Sequence, residues 1–269
     1  MNCGAPRPGE YCAACGERRM HRETLKLSAF VSSALEEITD LDHSKLLNTL
    51  KVLILRPGVL TTEYLRGRRK RYLGPFKIYL AAFALSFLLY SVYQPTSVYD
   101  VRALLAQDQA GTWQQLIAQL GKKAALPESV VIAQLNERWQ RYVSLSNALY
   151  PLGIALLLKV LYLPARRFYA EHLVFSLYFG SLAHAIFIFL WPAYAFTGVR
   201  ISTAWFIASA VALGLLSLWL LLALREVYRQ TWLATGLKTA VVMIGYYVIG
   251  LLIVFGAFGL AFFILSRSH

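Results

Sequence analysis

The chain has 269 residues, of which 58% are hydrophobic and 15% charged, with a mean hydropathy of +0.51. A soluble domain of this length cannot hide so much apolar surface, so composition excludes an ordinary soluble globular domain and points to a membrane protein. The formal net charge of +13 then suits loops facing anionic lipid better than nucleic acid, and the 14% aromatic content suits membrane–water interfaces.

The first 74 residues read as a polar, basic head rather than a cleavable leader. All three cysteines, Cys3, Cys12 and Cys15, lie at its start, which excludes a disulfide framework and points to a local site in a reducing compartment. Cys12-Ala-Ala-Cys15-Gly16 has the form of a zinc knuckle, with a glycine that permits the tight turn after the second thiolate. Asn2-Cys3-Gly4 repeats the second half of that pattern, so the missing fourth ligand is expected three residues before Cys3, upstream of Met1. The expectation is a structural Zn2+ site on Cys3, Cys12 and Cys15, incomplete in this chain; the alternative is a degenerate knuckle that no longer binds tightly, with His21 or water as a substitute fourth ligand. A redox pair is disfavoured because no βαβ pattern surrounds the cysteines.

Two amphipathic helices follow. LKLSAFVSSALEEI sets Leu27, Phe30, Val31, Ala34, Leu35 and Ile38 at helical spacing. Asp42 is placed to cap HSKLLNTLKVLIL, whose apolar side reads as Leu46, Leu47, Leu50, Leu53 and Ile54. Arg56-Pro57-Gly58 stops that helix, since Pro57 disfavours helical geometry at the residue before it. A third short segment leads into RGRRKR, where Arg66, Arg68, Arg69, Lys70 and Arg71 form a topology anchor and a candidate surface for anionic lipid headgroups.

Five apolar runs long enough to cross a bilayer are expected: Pro75–Gln94, Val143–Leu163, Glu171–Tyr194, Thr203–Leu224 and Thr239–Leu265. The polar connection at 95–142 reads as short amphipathic helices (VYDVRALLAQ, TWQQLIAQL and PESVVIAQLNERWQRYV) forming a cap on one membrane face. No internal repeat supports an inverted-repeat transporter. Most lysines and arginines fall on one side if the head is inside, joined there by Arg166, Arg167, Arg225, Arg229, Lys238, Lys77 and Lys159. Only Arg102, Lys122, Lys123, Arg138, Arg141, Arg200 and Arg267 fall on the other, so the positive-inside rule places the N-terminus in the cytoplasm and the C-terminus outside.

Ionisable residues within or beside the spans are few. Glu171 and His172 open the third span, and His184 lies about 20 Å further along it. As a functional set these three would line a polar membrane site. As structure, Glu171 suits a helix N-terminus with Arg167 four residues back, and His184 suits a neutral bond to another helix. Ser181 is near His184, but without an orienting acid it makes no hydrolase site, and no enzymatic function is expected.

Three stretches, NCGAPRPGEYCAACGERR, LLNTLKVLILRPGVLTTEYLRGRRKRYLGPF and FYAEHLVFSLYF, resemble a family of bacterial membrane proteins catalogued as domain of unknown function family 3667. The positions that carry the resemblance are Thr49, Arg56, Pro57, Gly58, Tyr64, Gly67, Arg69, Tyr72, Pro75, Glu171 and His172, besides the cysteines. It implies a zinc-ribbon-like head on a helical membrane domain and no particular reaction.

The expected object is an all-α protein of a bacterial inner membrane with about five transmembrane helices. It divides into a knuckle at 1–22, cytoplasmic helices and a basic run at 23–74, and a membrane domain at 75–269. The expected function is an adaptor or lipid-associated scaffold whose head docks a cytoplasmic partner or anionic lipid. The rival is a small transporter or lipid-handling protein working through a cavity around Glu171, His172 and His184. Nucleic acid is not an expected partner. Protein expressed with upstream codons that restore a fourth cysteine is expected to hold about one zinc by elemental analysis, and the Cys12→Ser, Cys15→Ser variant to hold none.

Overall fold

A computed structural model describes residues 43–93, 100–106, 108–197 and 203–267. The three cysteines, the first amphipathic helix and the Asp42 cap lie outside these residues. Every regular element described is helical: α1 (His43–Leu55), α2 (Val59–Leu65), α3 (Pro75–Tyr93), α4 (Val101–Ala106), α5 (Thr112–Ala124), α6 (Glu128–Asn147), α7 (Tyr150–Leu161), α8 (Tyr169–Thr197), α9 (Thr203–Tyr228) and α10 (Trp232–Arg267), with one 3-10 turn at Leu163–Ala165.

The helices fall into two compact units. The first holds the described residues up to Leu89 together with Pro151–Tyr246, and the second holds Tyr90–Tyr150 with the residues from Tyr247 onward. In the first unit α8 is central. His172 to Phe179 are buried without a break, which on a helix means that protein surrounds it on every side. α1, α2 and α9 all pack against it.

α1 turns Thr49, Val52 and Leu53 inward, while Leu47, Ile54 and Leu55 are exposed. The inner face is therefore displaced from the leucine row expected from the sequence, because Thr49 earns its burial through hydrogen bonds. Its Oγ1 donates to Lys45 O (2.6 Å) and accepts from Leu73 N (2.9 Å). α1 ends where Arg56 and Pro57 were expected to end it. Gly58 has φ +81°, a left-handed conformation costly to any residue with a Cβ. A Cβ there would meet Ala223 O at 2.8 Å, so the turn sits directly on α9.

Three helices are long and apolar enough to cross a membrane, over Tyr169–Leu190, Ile207–Tyr228 and Trp232–Arg267, and a fourth span exists if α6 and α7 are taken as one. One of the five expected runs is interrupted. The run Val143–Leu163 is broken at Ala148 and Leu149, because Pro151 sits in the first turn of a new helix, where its missing N–H costs nothing. α3 runs for 19 residues, Pro75–Tyr93, and its described apolar stretch is Pro75–Leu89. α10, with 36 residues, is about 54 Å long, well beyond the ~30 Å of a hydrocarbon core.

The second unit is built on α5, α6 and the later part of α10. Asp108 caps α5 by accepting from the backbone N–H groups of Trp113 (2.6 Å), Thr112 and Gln114 (both 3.2 Å). The Phe258 ring lies edge-on to Trp113 and Trp139, with centroids 5.3 and 5.0 Å away, and the Trp139 indole donates to Val254 O. Apolar residues of α6 (Val131, Leu135, Val143) and of α10 (Ala257, Ala261, Leu265) complete this core.

Two glycines with the same backbone angle but different surroundings separate strain from contact. Gly58→Ala combines positive φ with a backbone clash and is expected to cost about 2–4 kcal/mol, whereas Gly67→Ala, at φ +83° with open space around it, should cost about 1 kcal/mol. Thermal unfolding of the purified variants in detergent measures the difference.

Candidate functional site

A pocket of about 380 Å³ opens in the first unit where α2 meets the ends of α8 and α9. Thr62, Leu65 and Arg66 come from α2, Arg167 and Glu171 from the entry to α8, and Glu226, Val227, Tyr228 and Arg229 from the exit of α9. The walls thus carry three guanidinium groups and two carboxylates.

Local rules place these groups. Glu171 is the third residue of α8, and its Oε1 accepts from Phe168 N (3.1 Å), the reach-back half of a capping box. Its other oxygen lies 4.0 Å from Arg167 Nη1, the pairing expected from their four-residue spacing. Arg167 also donates from Nη2 to Val227 O (2.9 Å) and lies over the Tyr228 ring at 4.9 Å. The Lys159 ammonium donates to Arg167 O. Arg167 is thus a clamp joining the start of α8 to the end of α9. Arg229 follows α9 in a left-handed conformation (φ +53°), and its exposed side chain reaches the pocket rim.

Behind the pocket lies a buried aromatic column. Tyr162 and Tyr228 stack with centroids 3.7 Å apart, and Lys238 Nζ sits 3.9 Å over the outer face of the pair, on Tyr162. His172 is fully buried and shares a 2.6 Å hydrogen bond through Nδ1 with the Tyr228 hydroxyl. Among the described residues, His172 Nε2 and the Tyr162 hydroxyl have no hydrogen-bond partner. Cations over ring faces suit this location, where low local dielectric strengthens the attraction.

The residues expected to form one polar membrane site are thus distributed. Glu171 lines the pocket, His172 sits behind it through Tyr228, and His184 is elsewhere along α8. His184 Nδ1 is 2.9 Å from Ser86 Oγ, and the ring packs between Tyr79 (5.6 Å) and Phe83 (5.4 Å). Ser86 Oγ also lies 2.9 Å from Phe83 O on its own helix. Ser181 donates to Leu177 O on its own helix.

The basic run is not a uniform brush. Arg68 donates to both Glu63 oxygens (3.1 and 3.0 Å), Arg66 lies 3.6 Å from the same carboxylate, Arg69 covers the Tyr64 ring at 4.3 Å and Arg71 lies 5.7 Å from Tyr72. Of the five cations, Arg66 alone lines the pocket. Tyr162, Tyr228 and Glu226 were not singled out in the sequence, and Arg229 and Lys238 were noted only as charges on the inner side. The available signal was the coincidence of tyrosines and basic residues at the ends of three different spans. Among the described residues no group of three or more His, Cys, Asp or Glu could hold a metal ion.

Fold and site together define an all-α membrane protein with a charged pocket at one end of its apolar helices. Residues 43–87 match the model of a family described as protein of unknown function (DUF3667), so the family resemblance is borne out on the segment from α1 through most of α3. No curated protein and no solved structure matches the chain.

Two tyrosines of the column should respond oppositely to loss of their hydroxyls. Tyr228→Phe strips His172 Nδ1 of its partner and is expected to destabilise by about 1–3 kcal/mol, while Tyr162→Phe removes an unpartnered buried hydroxyl and should be neutral or stabilising. Chemical denaturation in detergent reports both.

Proposed function

We propose that the protein is a membrane-embedded adaptor or scaffold that associates with anionic lipid by holding a phosphate-bearing headgroup in the pocket between α2 and the ends of α8 and α9. The observation that carries the reading is the convergence of Arg66, Arg167 and Arg229 on one cavity at the end of helices able to cross a bilayer. Guanidinium groups match phosphate oxygens in a planar, two-pronged geometry and remain charged at any physiological pH. With Arg167 committed to Val227 and Glu171, the more exposed Arg66 and Arg229 are the groups available to a ligand.

In this reading the pocket faces the bacterial cytoplasm, as the distribution of basic residues suggests, and the cysteine-bearing head, with or without its zinc, docks a cytoplasmic partner. No catalytic step is part of it. The packing of His184 against Ser86, Tyr79 and Phe83 supports a scaffold over a transport route through that histidine.

Each exposed arginine near an anionic surface contributes about 1 kcal/mol, or about fivefold in affinity. The Arg66→Ala, Arg229→Ala double variant is therefore expected to bind phosphatidylglycerol about 25-fold more weakly at low salt, with phosphatidylcholine binding unchanged, by native mass spectrometry of the detergent-purified chain. Equal binding of phosphatidylglycerol by the double variant and the parent would remove the basis of the reading.

A further inference from the structure

We propose that α1 is a half-inserted helix whose outer face, Leu47, Ile54 and Leu55, lies among the acyl chains of the leaflet on the pocket side. The inference rests on the membrane reading of the chain but not on what the pocket holds.

Depth carries the argument. The Trp219 indole donates to Leu53 O (2.7 Å), and Trp219 lies about 13.5 Å along α9 from the pocket residue Tyr228, at ~1.5 Å per residue. Thr49 accepts from Leu73 N, and Leu73 O accepts from the hydroxyl of Tyr178, which lies about 9 Å along α8 from His172, the residue bonded to Tyr228. Thr49 and Leu53, one turn apart on the inner face of α1, are therefore fastened about 9 and 13.5 Å along the spans from the pocket end, and the 13 residues of α1, about 20 Å, are too few to cross the bilayer.

What covers its outer face follows from α9. Leu215, Leu218 and Leu222, in the turns that hold Trp219, are themselves exposed, so by its own composition α9 faces hydrocarbon at the level where α1 is fastened. The outer face of α1 is likewise apolar and exposed, with Leu47 70%, Ile54 53% and Leu55 67% exposed. Lys51 and Arg56 are also exposed, and their long stems can carry the charges up to the headgroups. This pattern of apolar side chains with basic residues beside them is that of a helix lying in one leaflet.

The test places a nitroxide at Leu47, Ile54 or Leu55 through an encoded keto amino acid, in the full chain reconstituted into phosphatidylglycerol–phosphatidylcholine bilayers. Leu218 serves as the lipid-facing reference and Lys70 as the water-facing one. Collision rates with oxygen, which concentrates in hydrocarbon, and with a water-soluble nickel chelate are compared. The expected result is an oxygen-to-nickel ratio at all three positions several-fold above that at Lys70 and close to that at Leu218. A ratio matching Lys70 would place the face in water and overturn the proposal. Low accessibility to both reagents would mean that protein covers it, which overturns the proposal equally. The Arg66→Ala, Arg229→Ala background should leave these ratios unchanged, so a failure of headgroup binding is read separately from a failure of insertion.

Discussion

Hydrocarbon offers no partner to a backbone polar group, and this constraint explains why the segment before α3 is tied as it is. Leu73 lies in a non-helical stretch at the level of Tyr178, so neither its N–H nor its carbonyl has a helical partner. Thr49 Oγ1 accepts from the first and the Tyr178 hydroxyl donates to the second. The same shortage exists at the end of α1, where the last carbonyls are orphaned by geometry, and Trp219 supplies the donor for Leu53. Three side chains from three helices thus close the backbone of a segment that would otherwise need water. Since each unmade bond would cost about 1–3 kcal/mol, Thr49, Tyr178 and Trp219 hold the described part of the head to the spans more firmly than exposed ion pairs could.

The pocket is a consequence of that fastening. Once α1 is tied at the level of Tyr178 and Trp219, Gly58 brings the chain onto Ala223, and α2 proceeds along α9 toward its exit. Thr62, Leu65 and Arg66 then face Val227, Tyr228 and Arg229, leaving a cavity rather than a packed joint. The charges around it are graded by commitment. Arg167 is held by a carbonyl, a carboxylate and a ring, while among the described residues Arg229 is tethered only by its backbone turn. A site with one firmly held cation and more exposed ones beside it can orient a phosphate without permanently neutralising it.

Much of the fold was legible because its signals are local. Residue spacing gave the helical runs, Arg56-Pro57-Gly58 gave the end of α1, and Glu171 four residues after Arg167 gave the ion pair at the start of α8. What was not legible depends on contacts between distant residues. No periodicity announces that Tyr162 will stack on Tyr228, or that His184 will meet Ser86 while His172 meets Tyr228. The inner face of α1 was misplaced for the same reason. A leucine row is a sound guide when one side of a helix meets water, but here both sides are apolar and a threonine with a tertiary partner decided the orientation.

Polar placement is therefore more informative than apolar placement in this chain. An exposed leucine on α9 or α10 says only that the surface there is oily, because nearly every face of those helices is. A buried polar atom has to be matched to a particular partner, and the matched ones mark the levels at which the chain is fixed. Thr49, Tyr178 and Trp219 mark one zone, and Arg167, Glu171, His172 and Tyr228 mark another nearer the helix ends. Between them α8 is wholly enclosed, and beyond the first zone it begins to expose Phe187 and Phe189. The transition from enclosed to oily along one helix is the pattern expected where a protein collar gives way to lipid, and α1 lies at that transition.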